Sequence, residues 1–134
     1  MPRTTLDDGD RALLRAKNFC HIATVREDGT ILNVPVWVDT DGEHIIVNSS
    51  EGRAWPENLR RAGHATCTVS DSSDPYHYMS ATVRIAEDTH EGADDDIDRL
   101  AKKYMDVDSY PFRQEGEQRV IFRIEPERVF VQGG

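Results

Sequence analysis

A short segment near the middle of the chain combines small polar side chains with an arginine. Asn48, Ser49 and Ser50 precede Arg53, and a helical turn is expected at residues 58–61. Hydroxyl and amide groups beside a guanidinium, followed by the backbone N–H groups of a helix start, can hold a phosphate. The same spacing is also typical of surface arginines that are simply solvated, so both interpretations stay open.

Two further arginines, Arg60 and Arg61, belong to the predicted helical turn, and Arg60 would share a face with Arg53 if the turn is regular. The chain carries 16 Lys and Arg against 25 Asp and Glu, for a net charge of −9. An anionic ligand would therefore have to bind at a local basic cluster such as this one.

The second predicted strand, residues 31–38, is largely apolar on both faces. One face would fill a barrel interior with Leu32, Val34, Val36 and Val38. The other face, where a monomeric barrel should be polar, carries Ile31, Asn33, Pro35 and Trp37. A second copy of the chain or a planar ligand in a groove would cover this face, and the N-terminal helix is the remaining alternative. Pro35 suits a groove because it lacks the N–H that a paired strand would use.

No nucleophile, acid–base pair or metal cluster stands out among the other residues. Cys20 and His21 are neighbours on a strand and point to opposite faces, so they cannot both join His64 and Cys67 around a zinc ion. The cysteines are interpreted as buried structural residues. We expect any enzymatic chemistry to come from a cofactor, and we assign no catalytic side chain.

Two other patterns have structural explanations. Tyr76 and Tyr78 share one face of a predicted strand, where tyrosines usually pack, although Tyr78 could line a ligand pocket. A run of aspartates at residues 94–96 begins an amphipathic helix, where carboxylates complement the helix dipole, and this interpretation is preferred to a metal site.

The elements that position these residues follow from turn residues and hydrophobic periodicity. A short helix is expected at residues 7–17, within an N-terminal segment 1–17, and a longer amphipathic helix at residues 93–105. Strands are predicted at residues 19–25, 31–38, 44–49, 65–70, 76–87, 118–125 and 128–132. Asp-Gly turns join the first three strands into a meander of two hairpins, and residues 106–117 form a loop that could act as a lid.

Length and composition restrict the class of protein. With 134 residues, the chain is predicted to form one domain, 1–134, because it is too short for two sizeable cores. Short hairpin connections give antiparallel pairing, and six or seven such strands close into a barrel to remove their edges. We therefore predict a mainly β fold, an antiparallel barrel with a few short helices.

Charge and segment lengths also exclude several function classes. An acidic surface disfavours nucleic acids and anionic membranes as partners, and no apolar run has the length of a membrane span. The first ten residues lack the apolar core of a signal peptide, and two cysteines are too few for a disulfide framework. The expected location is the cytoplasm, with reduced thiols.

Several motifs, taken in their order and spacing, resemble the pyridoxamine 5'-phosphate oxidase-like split β-barrels that bind FMN or the deazaflavin coenzyme F420. The resemblance covers about residues 19–131. It is carried by Ile22-Ala23-Thr24-Val25 before Asp28-Gly29, Val34-Pro35-Val36-Trp37, Arg53-Ala54 with Asn58-Leu59-Arg60-Arg61, and Asp74-Pro75-Tyr76-His77-Tyr78. An arginine, then Asn-Leu-Arg-Arg, a strand and Pro-Tyr-x-Tyr look most like the F420-dependent branch.

The resemblance implies a six- to seven-stranded FMN-binding split barrel that forms a homodimer with two cofactor grooves at its interface. By position, Asn33 to Trp37 would flank the cofactor ring, Asn48 to Ser50 would lie at its edge, and Arg53 with the turn through Asn58 would hold the phosphate-bearing tail. Trp55 stands where many members carry a lysine, and it would stack on the cofactor or seal the groove.

The implied activity is hydride transfer between reduced coenzyme F420 and an unidentified small organic acceptor. In that activity the protein would align the reactants and exclude water. An FMN-dependent oxidoreductase and a flavin- or deazaflavin-binding module without turnover are the alternatives.

Overall fold

A computed structural model of the chain describes residues 3–133, so Met1, Pro2 and Gly134 of the predicted domain lie outside the described residues. In chain order the elements are α1 (Asp8–Arg15), β1 (Cys20–Val25), β2 (Ile31–Val36), β3 (Val38–Thr40), β4 (Ile45–Ser50), α2 (Ala54–Ala62), β5 (His64–Asp71), β6 (Asp74–Thr89), α3 (Ala93–Met105) and β7 (Arg119–Gln132). The mainly β prediction is confirmed.

The strands form one antiparallel sheet in the order β2-β1-β5-β6-β7-β4-β3. The two edge strands, β2 and β3, are joined by Trp37 alone. Consecutive Cα atoms lie only about 3.8 Å apart, so this connection brings the two edges of the sheet together. The sheet is therefore curled, as the predicted split barrel requires.

The meander predicted for the first three strands is wrong at its second strand. Both hairpins exist, since β1 pairs with β2 and β3 pairs with β4. The strand predicted at residues 31–38 is interrupted at Trp37, and its two halves pair at opposite edges of the sheet. Because apolar residues alternate on both sides of this point, the sequence pattern does not show the interruption.

The helices follow local signals. At α1, Asp7 is the N-cap residue and forms a capping box with Asp10, while Leu13 and Leu14 are buried. α3 spans the predicted residues 93–105. α2 is longer than the predicted turn at residues 58–61 because it begins at Ala54, and Gly63 ends it at φ 79° as expected.

The C-terminal strands are also longer than predicted. β6 and β7 pair along most of their lengths with register shifts at Thr82/Val83 and at Ile85/Glu87. The two strands expected at residues 118–125 and 128–132 are one strand, β7, which continues through Pro126. Glu127 has no partner in the ladder at this point, so a bulge accommodates the proline, which lacks a donor.

The core fills the inside of the curled sheet. The fully buried side chains include Ile22, Leu59, Val69 and Phe122. The inward face of β2 packs against this core as predicted, through Leu32, Val34 and Val36. On the outward face, Ile31 is 59% exposed and Asn33 and Pro35 are also exposed, whereas Trp37 packs on Tyr104 of α3. The N-terminal helix therefore does not cover this face, and that alternative is wrong. None of the helices in residues 3–133 is long and apolar enough to cross a membrane.

Candidate functional site

A groove opens at the point where β2 ends and the chain turns into β3. Its walls come from the bend at Trp37, the N-terminus of α2, one face of α3 and the loop that follows α3. The cavity has a volume of about 220 Å³. It is lined by Phe19, Pro35, Val36, Trp37, Asn48, Arg53, Trp55, Ile97, Leu100, Tyr110, Phe112 and Arg119. We refer to this cavity as the groove.

One wall of the groove is aromatic. The Trp37 ring stacks on Tyr104 with 5.2 Å between centroids and an angle of 4° between planes. Tyr110 meets Trp37 edge-on at 6.0 Å, and Phe112 meets Tyr110 edge-on at 5.8 Å. Flat rings held in this way present a preformed apolar surface to a planar ligand.

The hydroxyl of Tyr104 anchors the aromatic wall to the main chain. It accepts a hydrogen bond of 3.1 Å from the Val38 N–H and donates to the carbonyl oxygen of Asn18. Burial raises the pKa of Tyr104 to about 12, so this hydroxyl keeps its proton at neutral pH. Trp37 is thereby held against a fixed partner at the bend.

Two buried polar side chains, Asn48 and Arg119, form the floor beneath this wall, and the carboxylates of Asp96 and Glu117 bind them. The Asn48 Nδ2 donates to the Ala93 carbonyl at 3.0 Å and to Asp96 at 2.9 Å, which ties β4 to the start of α3. The Asn48 Oδ1 accepts from Arg119 Nε at 3.0 Å, and Arg119 Nη1 donates to Glu117. Asn48 was predicted to edge the cofactor ring, and it lines the groove while these protein contacts occupy its amide.

The hydrogen bonds around Glu117 lower its pKa. Burial alone would raise the pKa, but the Gln114 N–H and Arg119 donate to the carboxylate and bring the net pKa below its ordinary value. Glu117 is thus a carboxylate at neutral pH, and it offsets the charge of Arg119.

Arg53 lies at the rim of the groove and is the N-cap residue of α2. Its side chain is exposed and makes no hydrogen bond or ion pair with any residue in 3–133. The helix start has no side-chain cap, so the N–H groups of Ala54 and Trp55 are also available. A free guanidinium beside an uncapped helix N-terminus can receive an anionic group.

The other two arginines of this region are occupied, and Arg60 is not part of an anion site with Arg53. Arg60 donates to Glu51 at 2.7 Å and to Asp88 at 2.6 Å, and these bonds raise its pKa further. The Arg60 hydrogen bond in turn lowers the pKa of Glu51, with His90 contributing less. Arg61 donates to Asn58 at 2.6 Å. The predicted basic cluster therefore contributes one free cation, Arg53.

Six of the thirteen predicted site residues line the groove: Pro35, Val36, Trp37, Asn48, Arg53 and Trp55. Trp55 is only 6% exposed and packs on Phe122 at 5.7 Å, so it closes the groove from within the core. Ser50 lines a second cavity that shares Arg53 and Phe112 with the groove. These residues meet because the bend at Trp37 brings β2 next to β4 and α2.

The remaining predicted residues lie near the groove without lining it. Asn33 is exposed on the outward face of β2, and Val34 points into the core. Ala54 is exposed at the helix start, and the Ser49 hydroxyl is buried without a partner.

Two more of them are held by other side chains. Asn58 is buried and donates to Thr24 at 3.2 Å. Tyr78 lies on β6 with its ring 6.3 Å from that of Phe130. In a single copy of the chain, Tyr78 therefore does not line the groove.

Sequence reasoning missed half of the lining, namely Phe19, Ile97, Leu100, Tyr110, Phe112 and Arg119. Ile97 and Leu100 belong to the apolar face of α3, which was interpreted only as core-facing. Arg119 follows a loop that contains two glutamates, and no sequence pattern marks it as a site residue. Its burial depends on Asn48, which lies 71 residues away in the sequence.

The loop at residues 106–117 is irregular, as predicted, and it is fastened to α3. Arg113 pairs with Asp94 and with Asp98 at 2.7 Å each, and the Tyr110 N–H donates to Asp98 at 2.8 Å. These contacts place Tyr110 and Phe112 over the groove. Opening of the loop as a lid stays a prediction.

The cysteine and histidine candidates lie elsewhere. Cys20 and Cys67 are both buried free thiols, and the hydrogen bond that the Cys20 thiol donates to Cys67, together with burial, raises the pKa of Cys20. Within residues 3–133 no group of three His, Cys, Asp or Glu side chains is placed to hold a metal ion. No histidine, cysteine or methionine lines the groove.

A family model described as pyridoxamine 5'-phosphate oxidase matches residues 6–133. The chain belongs to the pyridoxamine 5'-phosphate oxidase family. No curated protein matches it by sequence.

Solved structures show the same fold. An F420 reductase aligns with a TM-score of 0.79 at 23% identity, over 93% of this chain and 98% of that one. HupZ from Group A Streptococcus aligns with a TM-score of 0.65 at 17% identity, over 96% and 99%. The heme storage protein HutZ from Vibrio cholerae aligns with a TM-score of 0.66 at 15% identity, over 91% of each chain.

Proposed function

We propose that this family member is an F420-dependent oxidoreductase that transfers a hydride between the reduced deazaflavin and a small organic acceptor. The observation that carries the proposal is Arg53, which has no partner in residues 3–133 and lies at the rim of a groove with a wall of packed aromatic rings. The structural likeness to an F420 reductase favours this cofactor, although that protein is only 23% identical.

The groove fits a planar ring with an anionic arm. Pro35, Val36 and Trp37 would contact the ring, because they line the cavity next to the aromatic wall. Arg53 and the uncapped start of α2 would hold the phosphate, because their donors have no partner in the described part of the chain. Because the chain has a net charge of −9, an anionic group needs a local cation such as Arg53.

When bound, reduced F420 would supply the hydride, so the chain's own residues need only position the reactants and exclude water. The wall of Trp37, Tyr110 and Phe112 would shield the ring, and Trp55 closes the inner end. No side chain is assigned a proton transfer.

A homodimer is part of the proposal. The outward face of the β1–β2 hairpin includes Ile31, Pro35 and Val25, and Ile31 and Pro35 are exposed. The cavity of about 220 Å³ is smaller than the roughly 300–1,000 Å³ of ordinary small-molecule sites. A second copy seated on this face would cover the apolar residues and enlarge the groove, and it could bring Tyr78 to the site.

FMN is the second candidate cofactor, because it also joins a flat ring to a phosphate. The deciding experiment titrates the purified protein with F420 and with FMN, and then follows reoxidation of the reduced cofactor with candidate acceptors. We expect micromolar binding of F420 and faster reoxidation in the presence of protein. Preference for FMN would select the alternative cofactor, binding of either cofactor without turnover would indicate a binding module, and binding of neither would refute the proposal.

A further inference from the structure

The floor of the groove contains a guanidinium with one free edge. Arg119 is 4% exposed and lines the groove, with the Tyr110 ring 5.1 Å from its guanidinium carbon. Its Nε donates to Asn48 and its Nη1 to Glu117, while Nη2 donates to no residue in 3–133.

The Nη2 atom of Arg119 is not fully buried. Among the described residues, the only fully buried side-chain nitrogen or oxygen without a partner is the Ser49 Oγ. Because Nη2 is unpartnered and is not such an atom, it meets open space, and among the described cavities Arg119 lines the groove. A donor at the floor of a cavity with an aromatic wall fixes the orientation of a ligand.

The local charge determines which acceptor suits this donor. Glu117 pairs with Arg119 and its side chain is itself 8% exposed, so the two charges offset each other in a buried setting. The Asp96 carboxylate on the far side of Asn48 is paired with Arg99 at 3.4 Å. Because Glu117 already offsets the charge of Arg119, an incoming carboxylate would meet the negative charge of Glu117 at the floor, whereas an uncharged carbonyl would not.

We propose that Arg119 donates a hydrogen bond from Nη2 to an uncharged carbonyl oxygen of the molecule bound in the groove. If that molecule is the cofactor, its charged arm lies at Arg53 on the rim and its carbonyl end lies at the floor. In the proposed function, on which this assignment to a ligand rests, the carbonyl belongs either to the deazaflavin or flavin ring or to the acceptor.

A matched pair of probes tests the preference without a cofactor. Naphthalene-2-carboxamide and naphthalene-2-carboxylate have the same shape and differ in charge, and the indole N–H signals of Trp37 and Trp55 report their binding by NMR. Because Arg53 at the rim would itself attract a carboxylate, the two probes are compared in an Arg53→Ala background, where we expect the amide to bind more tightly. Glu117→Gln, which leaves Arg119 uncompensated, should tighten carboxylate binding about tenfold and change amide binding less than twofold.

A second variant assigns the effect to Arg119 rather than to Arg53. In the double variant Glu117→Gln/Arg119→Gln, both charges of the pair are absent, so the gain in carboxylate binding should disappear. If the gain persists, if the single variant shows no gain, or if the Arg53→Ala background binds neither probe, the assignment of Arg119 is wrong.

The source of the carbonyl is distinguished with Arg119→Lys, which keeps the charge beside Glu117 and lacks Nη2. A roughly tenfold higher Kd for F420 or FMN places the ring carbonyl at the floor, and an unchanged Kd with a similarly raised acceptor KM places the acceptor there. A thermal midpoint near that of the wild type checks folding. If neither the cofactor Kd nor the acceptor KM changes, the inference is overturned. If wild-type protein binds no cofactor, the proposed function fails, and the naphthalene probes still test whether Arg119 donates to a ligand.

Discussion

Replacement of Arg53 by alanine tests the anion site at the groove rim. The Arg53 side chain is exposed and has no partner in residues 3–133, so Arg53→Ala removes no internal contact and should leave the folding free energy nearly unchanged. A charge-assisted hydrogen bond contributes about 1.5–3 kcal/mol, and solvent screening at the rim reduces this to roughly 1–2 kcal/mol. The expected increase in cofactor Kd is therefore roughly 5- to 30-fold.

The assay is a fluorescence titration with F420 and with FMN at low and at high salt. Screening should weaken binding to the wild type more than binding to Arg53→Ala, because only the wild type keeps this charge at the rim. Arg53→Lys should retain part of the affinity, since it keeps the charge but loses the guanidinium fork.

A matched control is Arg15→Ala, which removes an exposed arginine at the end of α1, away from the groove. This variant should bind as the wild type does. If Arg53→Ala stays within twofold of the wild-type Kd while remaining folded, or if Arg15→Ala weakens binding equally, then Arg53 does not hold the anionic arm.

Three further predictions concern stability and assembly. Tyr104→Phe removes the hydroxyl that hydrogen-bonds two buried main-chain groups, the Val38 N–H and the Asn18 carbonyl. It should therefore lower the free energy of unfolding, measured by urea titration, by about 1–3 kcal/mol. The control Tyr76→Phe changes a residue that is 82% exposed and should have no measurable effect. The pKa of Glu51 is lower in the folded protein than its ordinary value of 4.5, so the unfolded chain binds more protons as the pH falls. The difference in unfolding free energy between wild type and Glu51→Gln should therefore be full above about pH 5 and should decline below it. A difference that does not change with pH would contradict the ion pair as its source. Ile31→Glu should convert a dimer to a monomer in light scattering without loss of fold, while Ala12→Glu on α1 should not; an unchanged mass for Ile31→Glu would place the interface elsewhere.

The sequence by itself determined the elements whose signals are local. Strand periodicity predicted residues 65–70, where Ala65, Cys67 and Val69 of β5 are buried, and helical spacing gave the boundaries of α3. Aspartate capping and a glycine with positive φ fixed helix ends within a few residues. Turn residues and strand periodicity were enough to predict an antiparallel β fold, because these preferences depend on neighbours in the chain.

Only the tertiary structure decided which residues meet. The interruption at Trp37 depends on pairing at two distant sheet edges, and an apolar alternation that continues across it carries no sign of this. Arg60 is engaged by Asp88, 28 residues away, and Arg119 reaches Asn48, 71 residues away. Composition could show that 25 acidic residues outnumber 16 basic ones, but whether the charge of one arginine is free or offset depends on long-range contacts. For that reason Arg53 was found from the sequence and Arg119 was not.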